Sequence, residues 1–488
     1  MNIFTRRLFT VLTLAITSSL TPVTCLSQGG EPGALQAGAA VIDVSPQHFP
    51  VNMLGQFREN FAETVHDPLY ARAIVLKNDQ SSIAMVVVDN LGVDPDAIEA
   101  AKQLAAKQTN LPTQRIMVSS THTHTAPPTS ITTAGTTAAK YRELIIKGIA
   151  KSIVQAHNNL RAVEFGFNVK PLAEEVYNRR WYLKPGKMPL NPFGELDQVK
   201  MNPGNNSSTL DRPAGPTDPD ITIISLRDAK HKPYTLFANY SLHYVGAVPQ
   251  GGVSADYFGE FARLMPIRLR ASTEFVAMMS NGTSGDINNI PFGSTRAPRE
   301  RFEQIQIVAR KSSDVAWHAY QTIPKYETNV ALHMLQREIT LRYRKPTSDQ
   351  LKRAKSILEI TDQAELDRLP RLAVAYANRT VLAAARPETV NVKIQVIRIG
   401  ELGICCIPFE TFAEIGLDLK QRSPLPQTMV ISIANGRYGY LPTPAQHRLG
   451  GYETWLGTNI VQKDTSVILT TNLLEMLEIL SSDKSGAH

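Results

Sequence analysis

Through the first half of the chain, short apolar runs alternate with amphipathic stretches. Residues 40–44, 71–76 and 83–89 read as strands, being short, apolar and rich in β-branched side chains. Asp94-Pro95 then supplies a helix N-cap followed by proline at the first helical position, which predicts a helix to about residue 107. Residues 116–119 read as the next buried strand. A strand, helix, strand unit implies parallel neighbours, and ligands in open α/β sheets sit beyond the carboxyl ends of such strands. Thr121-His122-Thr123-His124 falls at that end.

The pattern continues with a helix over 137–158, strands near 163–169, 221–226, 235–240 and 274–279, and a helix over 298–322. Between them, residues 177–219 are rich in Pro, Asn and Gly and read as a long loop forming a wall or lid of a site. A second lobe is expected to open with a strand over 330–343, followed by two helical segments within 348–384, strands at 390–399 and 404–407, and a last helix over 465–480. The expected fold class is α/β, a mixed and largely parallel sheet core with flanking helices, in two fused lobes covering 28–325 and 326–488. No internal repeat is visible.

Composition places the chain among globular proteins: 43% of its 488 residues are hydrophobic and 19% charged, enough to build a large core. Arg6 and Arg7 precede a short apolar run over 8–16, and Cys25 and Ser27 suit cleavage before Gln28, so residues 1–27 are expected to be a signal peptide and the mature chain to be exported, periplasmic or extracellular. Thr5 to Phe9 also resembles part of a twin-arginine signal. Losing two arginines and no acid lowers the formal charge from +7 to +5. With cationic residues dispersed, this excludes a nucleic-acid footprint but allows peripheral contact with anionic membranes. Cys405 and Cys406 remain, adjacent on a strand and so facing opposite ways, which predicts buried free thiols and no disulfide.

The candidate chemistry begins with His122 and His124, two apart, whose imidazoles on an extended backbone share one face and can serve one metal, or a metal and its water. Threonine-flanked histidines at a strand end can equally be hydrogen-bonded structural groups. His243 follows another apolar strand, and Glu410 follows Ile407-Pro408-Phe409, where a helix-start carboxylate needs no metal. Tyr440, taken alone, reads as packing.

Taken together, these residues resemble the neutral/alkaline ceramidase family over nearly the whole mature chain. Val118 to His124 is similar to the family's THTH segment, which implies that His122 binds zinc and His124 lines the reaction site. Asn178-Arg179 resembles the family's Asn-Arg pair, with Arg179 facing the substrate. The histidine ahead of Ser254-Ala255-Asp256 points to His243 as the second zinc histidine, and Pro408-Phe409-Glu410 makes Glu410 the carboxylate ligand. Asn435, Tyr440, Thr443 and Tyr452-Glu453 reproduce the spacing of a late tyrosine motif, implying zinc binding by Tyr440 and substrate contact by Tyr452. Asn52-Met53-Leu54-Gly55 and Leu69 to Ala73 are further landmarks, with Gly55 bordering the site.

Two departures stand out. The family's loop carries a serine needed for activity where Asn281 to Asn289 places Asn288; an asparagine amide can donate to an oxyanion but cannot attack a carbonyl. The chain also ends soon after its last helix, so the family's additional C-terminal β domain is not expected. The resemblance implies one zinc per chain and hydrolysis of an N-acyl bond in a ceramide-like lipid or other acylated amine by metal-activated water, with no protein partner. The alternatives are a secreted binding protein that keeps the fold without turnover, and a zinc hydrolase acting on another bond such as an ester.

Overall fold

The computed structural model describes residues 34–482, except 54, 56–59, 131, 132, 295 and 298; the leader lies outside the described residues. Eight strands form the larger sheet: β1 (Gln36–Asp43), β2 (Tyr70–Lys77), β3 (Ser82–Val88), β4 (Ile116–Ser120), β5 (Arg161–Pro171), β6 (Asp220–Asp228), β7 (Pro233–Tyr240) and β8 (Val276–Asn281). Their order is β8-β7-β6-β5-β1-β2-β3-β4. Four more form a second sheet in sequence order: β9 (Leu332–Arg342), β10 (Thr389–Ile399), β11 (Leu402–Ile407) and β12 (Gln427–Ser432).

The expectation of a largely parallel core is corrected here. Only the outermost pairs of the large sheet, β3/β4 and β7/β8, run parallel, together with β11/β12 in the small one; the remaining neighbours are antiparallel. The mistake has a physical source. One face of the large sheet packs on the small sheet, where Ile74, Met85, Phe237 and Met278 meet Ile397, Ile404 and Met429. The other face is covered by helices, so central strands such as β3 are buried on both sides and read as continuous apolar runs whatever their direction.

The layers run helix, sheet, sheet, helix. Helix α1 (Pro95–Thr109) connects β3 to β4 as the sequence predicts, with proline in its first turn, and α2 (Thr137–Asn158) packs beside it on β1 to β4. Helices α3 (Asp256–Leu269) and α4 (Glu303–Gln321) cover β6 to β8. A helical hairpin, α5 (Ser348–Glu359) and α6 (Ala373–Ala385), builds a small satellite core. Helices α7 (Ala413–Arg422) and α8 (Thr465–Ser482) cover the outer face of the second sheet. The large sheet lies wholly before Tyr326 and the small sheet wholly after it, and the two share one core; Tyr326 itself bonds Ser225 of β6 at 3.0 Å. Cys406 points into the shared core and Cys405 into the outer one, both free and buried.

The expected loop over 177–219 contains a three-stranded antiparallel sheet, Arg180–Leu183 flanked by Val199–Met201 and Leu210–Pro213. No helix among the described residues is long and apolar enough to cross a membrane.

Beyond β12 the chain continues onto β4: Ser120 N–H donates to Ile433 O, and Asn435 N–H to Val118 O. This joins the small sheet to the edge strand that delivers the histidines. Lys102 of α1, 1% exposed, donates to Asn435 Oδ1 at 2.8 Å, and burial pulls its pKa down to about 7. The folded value lies below the unfolded one, so Lys102 adds stability as pH rises from about 7 toward about 10.4. Urea unfolding at both ends of that window should show Lys102→Met with a flatter pH slope than the unaltered protein; an unchanged slope would mean the lysine stays charged.

Candidate metal centre and substrate site

The three parallel pairs of the two main sheets all end at the same place. His122 lies two residues past β4, His243 three past β7, Ser284 three past β8 and Glu410 three past β11. Sequence logic for open α/β sheets therefore holds locally, at the three parallel pairs, inside a mostly antiparallel fold.

His122 is buried in a left-handed backbone conformation, φ +72°, which swings its ring out of strand register. Its N–H donates to Asn90 O, and its Nδ1 lies 2.6 Å from Leu91 O. His243 Nδ1 lies 2.9 Å from Ser284 O, and His124 Nδ1 2.9 Å from Gly55 O. A carbonyl oxygen only accepts, so all three imidazoles carry their proton on Nδ1 and present an Nε2 lone pair.

These lone pairs converge. The three histidine ligand atoms lie within 4.8 Å of one another, with His122 and His124 Nε2 3.2 Å apart. His243 Nε2 is buried without any partner, and so is Glu410 Oε2, although it stands 3.2 Å from His122 Nε2. Electron pairs facing each other at this distance repel unless a cation lies among them. Ligand atoms about 2.0–2.1 Å from a tetrahedral zinc are separated by about 3.3 Å, so the His122–Glu410 spacing and the chemistry of the donor set suit such an ion. Burial, then the charge of Arg179, holds His243 well below its usual pKa; burial and His122 do the same to His124. Both are neutral near pH 7.

The carboxylate side is built by a two-residue parallel pairing of Glu410 with Tyr440. Burial opposes the Glu410 charge, and it is held low only by positive charge at the His122 position, with the Tyr440 hydroxyl and Arg179 adding to it, so the carboxylate calls for a cation beside it. The Tyr440 hydroxyl hydrogen-bonds Glu410 and Arg179, and burial followed by the Glu410 charge raises its pKa well above the usual value. Arg179 is fixed from three sides: Nε on Glu453 Oε1 at 2.9 Å, Nη2 on Gly285 O at 2.8 Å, and its backbone N–H on Asp286 O. Burial opposes its charge, but Tyr440 and Glu453 raise its pKa further still. The Tyr452 ring stands edge-on to Tyr440, centroids 5.7 Å apart.

Thus His122, His124, His243, Glu410, Tyr440, Arg179, Tyr452 and Gly55 gather at one place. Asn288 does not join the histidines' hydrogen bonds: its Nδ2 donates to Asn202 and its Oδ1 accepts from Asn289 N–H. Ser284 contributes its carbonyl to His243.

Several residues that hold the site escaped the sequence reading. Glu453, fully buried, bridges Arg179 and Arg180, the latter at 2.6 Å. Asp286, raised to about 6 by burial, accepts from Asn178 and from Ala413 N–H, tying the β8 loop to the Arg179 strand and to α7. Asp256 accepts the N–H groups of Val245 and Gly246. Tyr244 stacks on His124. Of these, Glu453, Asp286 and Asp256 stood inside quoted motifs, so their adjacency to Tyr452, Gly285 and Ala255 was the available signal. A separate cavity of about 240 Å³, lined by His66, Asp67, Arg72, Asp256 and Phe302, includes none of His122, His124 and His243.

Gly55 is required by shape. Its φ is +102°, and an added Cβ would lie 2.7 Å from His124 Nδ1. Gly55→Ala should displace the imidazole and lower turnover on the order of 10²-fold. Metal content should be kept; wild-type turnover in this variant would show that the contact yields freely.

Residues 35–307 match the family model described as neutral/alkaline non-lysosomal ceramidase, N-terminal. The chain is 25% identical over 239 residues to neutral ceramidase 2 of Arabidopsis thaliana, covering 47% of this chain and 29% of that protein. It is also 25% identical over 240 residues to the neutral ceramidase of Oryza sativa subsp. japonica, covering 47% and 28%. The matched stretch thus spans less than a third of either plant protein. Among solved structures, neutral ceramidase from Pseudomonas aeruginosa superposes with a TM-score of 0.69 at 16% identity, over 94% of this chain and 76% of that one. A ceramidase complexed with C2 gives 0.67 at 14%, over 93% and 77%. At these identities the structural likeness establishes the fold.

Proposed function

This chain belongs to the neutral/alkaline non-lysosomal ceramidase family, and on that premise we propose that it is a zinc-dependent hydrolase of N-acyl bonds in ceramide-like lipids or related acylated amines. The observation that carries the reading is the convergence of His122, His243 and Glu410, with His243 Nε2 and Glu410 Oε2 buried and unpartnered.

His122, His243, Glu410 and Tyr440 would hold the ion, with neutral imidazoles and one carboxylate suiting zinc. When bound, it supplies Lewis acidity, polarising an amide carbonyl and lowering the pKa of water. The protein does the remainder. His124, neutral with its Nδ1 proton on Gly55 O, offers Nε2 to take a proton from attacking water and return it to the departing amine. Arg179, its charge secured by Glu453, places a fixed cation beside the Tyr440 ring, 5.4 Å from the centroid, where it stabilises charge growing on the acyl oxygen. Tyr452, its hydroxyl kept protonated by burial and the Glu410 charge with a pKa raised to about 12, is a donor for the substrate's polar head. Asn288 spends one amide N–H on Asn202 and has a second to donate to the substrate or its oxyanion. No side chain is asked to become acylated. Export after cleavage near Gln28, one zinc per chain, and contact with a membrane as the source of substrate belong to the same proposal.

The test is a matched set of N-acyl and O-acyl sphingoid and simple amine substrates. Amide hydrolysis releasing fatty acid and free amine supports the reading. Hydrolysis of esters alone would assign a different bond, and binding without turnover would favour a binding protein that keeps this fold.

A further inference from the structure

We propose that Tyr244 is a positioning residue for His124, holding the plane of its ring so that Nε2 stays aimed into the metal centre; this rests on the reading of His124 as the proton-transfer group. His124 is the least enclosed of the three histidines, and one hydrogen bond from Nδ1 to Gly55 O is its main-chain tether. A single bond fixes a point on the ring but leaves the ring free to turn about that point. The Tyr244 ring removes this freedom. It lies face to face with the imidazole, centroids 3.6 Å apart and planes 15° from parallel. Held so, His124 Nε2 stands 3.2 Å from His122 Nε2.

The clamp is itself anchored on both sides. Before it, His243 is tied to Ser284 O. After it, Val245 and Gly246 donate to the two oxygens of Asp256 at 3.0 and 2.8 Å. Asp256 is 2% exposed and keeps a left-handed backbone, φ +56°, a conformation costly for a non-glycine residue and held by its surroundings. The same short segment therefore carries a metal-facing histidine and the ring that orients the neighbouring one, so the two imidazoles are set relative to each other by local chain geometry.

Two substitutions separate ring from hydroxyl. Tyr244→Leu removes the flat partner and should lower kcat on the order of 10- to 10²-fold, as for a misaimed catalytic group, with a much smaller change in KM. Tyr244→Phe keeps the stack and should recover most of the lost rate. Zinc affinity, measured by chelator competition, should be little changed in both. A readout independent of turnover is the ¹⁵N spectrum of histidine-labelled protein: the His124 ring should give one sharp pattern in unaltered and Tyr244→Phe protein and a broadened or doubled one in Tyr244→Leu. Unchanged kcat and an unchanged ring signal in Tyr244→Leu would overturn the proposal, as would equal losses in both variants, which would assign the effect to the hydroxyl. If the unaltered protein hydrolyses no N-acyl substrate, the functional reading fails while the ring signal still decides the clamp.

Discussion

His243→Ala is expected to yield a folded protein that has lost its metal and at least roughly 10³-fold in turnover, because the Lewis acid contributes several kcal/mol of charge stabilisation. The fold should survive, since four packed layers and a core shared by both sheets hold it without the ion. The site should not. Alanine takes away a buried lone pair and leaves Ser284 O without its donor, while Glu410 and His122 still face one another with like electron density. Elemental analysis beside thermal unfolding checks this. Full zinc occupancy in His243→Ala, or in His122→Ala, would remove the histidines from the ligand set, and loss of the fold in both would make the site structural.

His124→Ala should behave differently, with turnover falling roughly 10²- to 10⁴-fold and metal retained. The sign of the pH dependence follows from its surroundings. Burial and the neighbouring His122 push its pKa well below the usual 6.5, so the imidazole stays neutral as a base until the solution is distinctly acidic. The unaltered protein should therefore lose kcat on an acidic limb lying below pH 6.5, and that limb should be absent from the small residual rate of His124→Ala. Metal loss in this variant would make His124 a ligand; an unchanged acidic limb would move the proton transfer to another group.

Much of this site was legible because its chemistry is written in short segments. His122 and His124 stand in one turn beyond a predicted strand, and the spacing from Asn435 to Tyr452 survives on the page as it does in space. What could not be read was which strands lie side by side. Residues 83–88 are buried on both faces, so the alternation that betrays an antiparallel strand is missing. How closely the two sheets pack was hidden for the same reason: the inner face of β10 and β11 is apolar because it meets β2, β3 and β8, and a chain pattern cannot tell a partner sheet from a separate core. Tyr244 was invisible because a tyrosine after a histidine carries no periodic signal; only the fold turns its ring onto His124. Asn288 is read only in part. Its place in the motif suggested an oxyanion donor; the short pairing of Ile287–Asn288 with Tyr177–Asn178 brings its amide to Asn202, a contact the sequence did not signal, and leaves a second N–H to donate.

The central claim, that an ion among His122, His243 and Glu410 drives N-acyl hydrolysis, is tested most directly by titrating zinc into chelator-stripped protein while following fatty acid release from an N-acyl sphingoid substrate. Turnover should be absent at the start, rise in proportion to added zinc and level off at one equivalent per chain. Undiminished turnover in the stripped protein, or none at any zinc concentration while the metal binds, would contradict it.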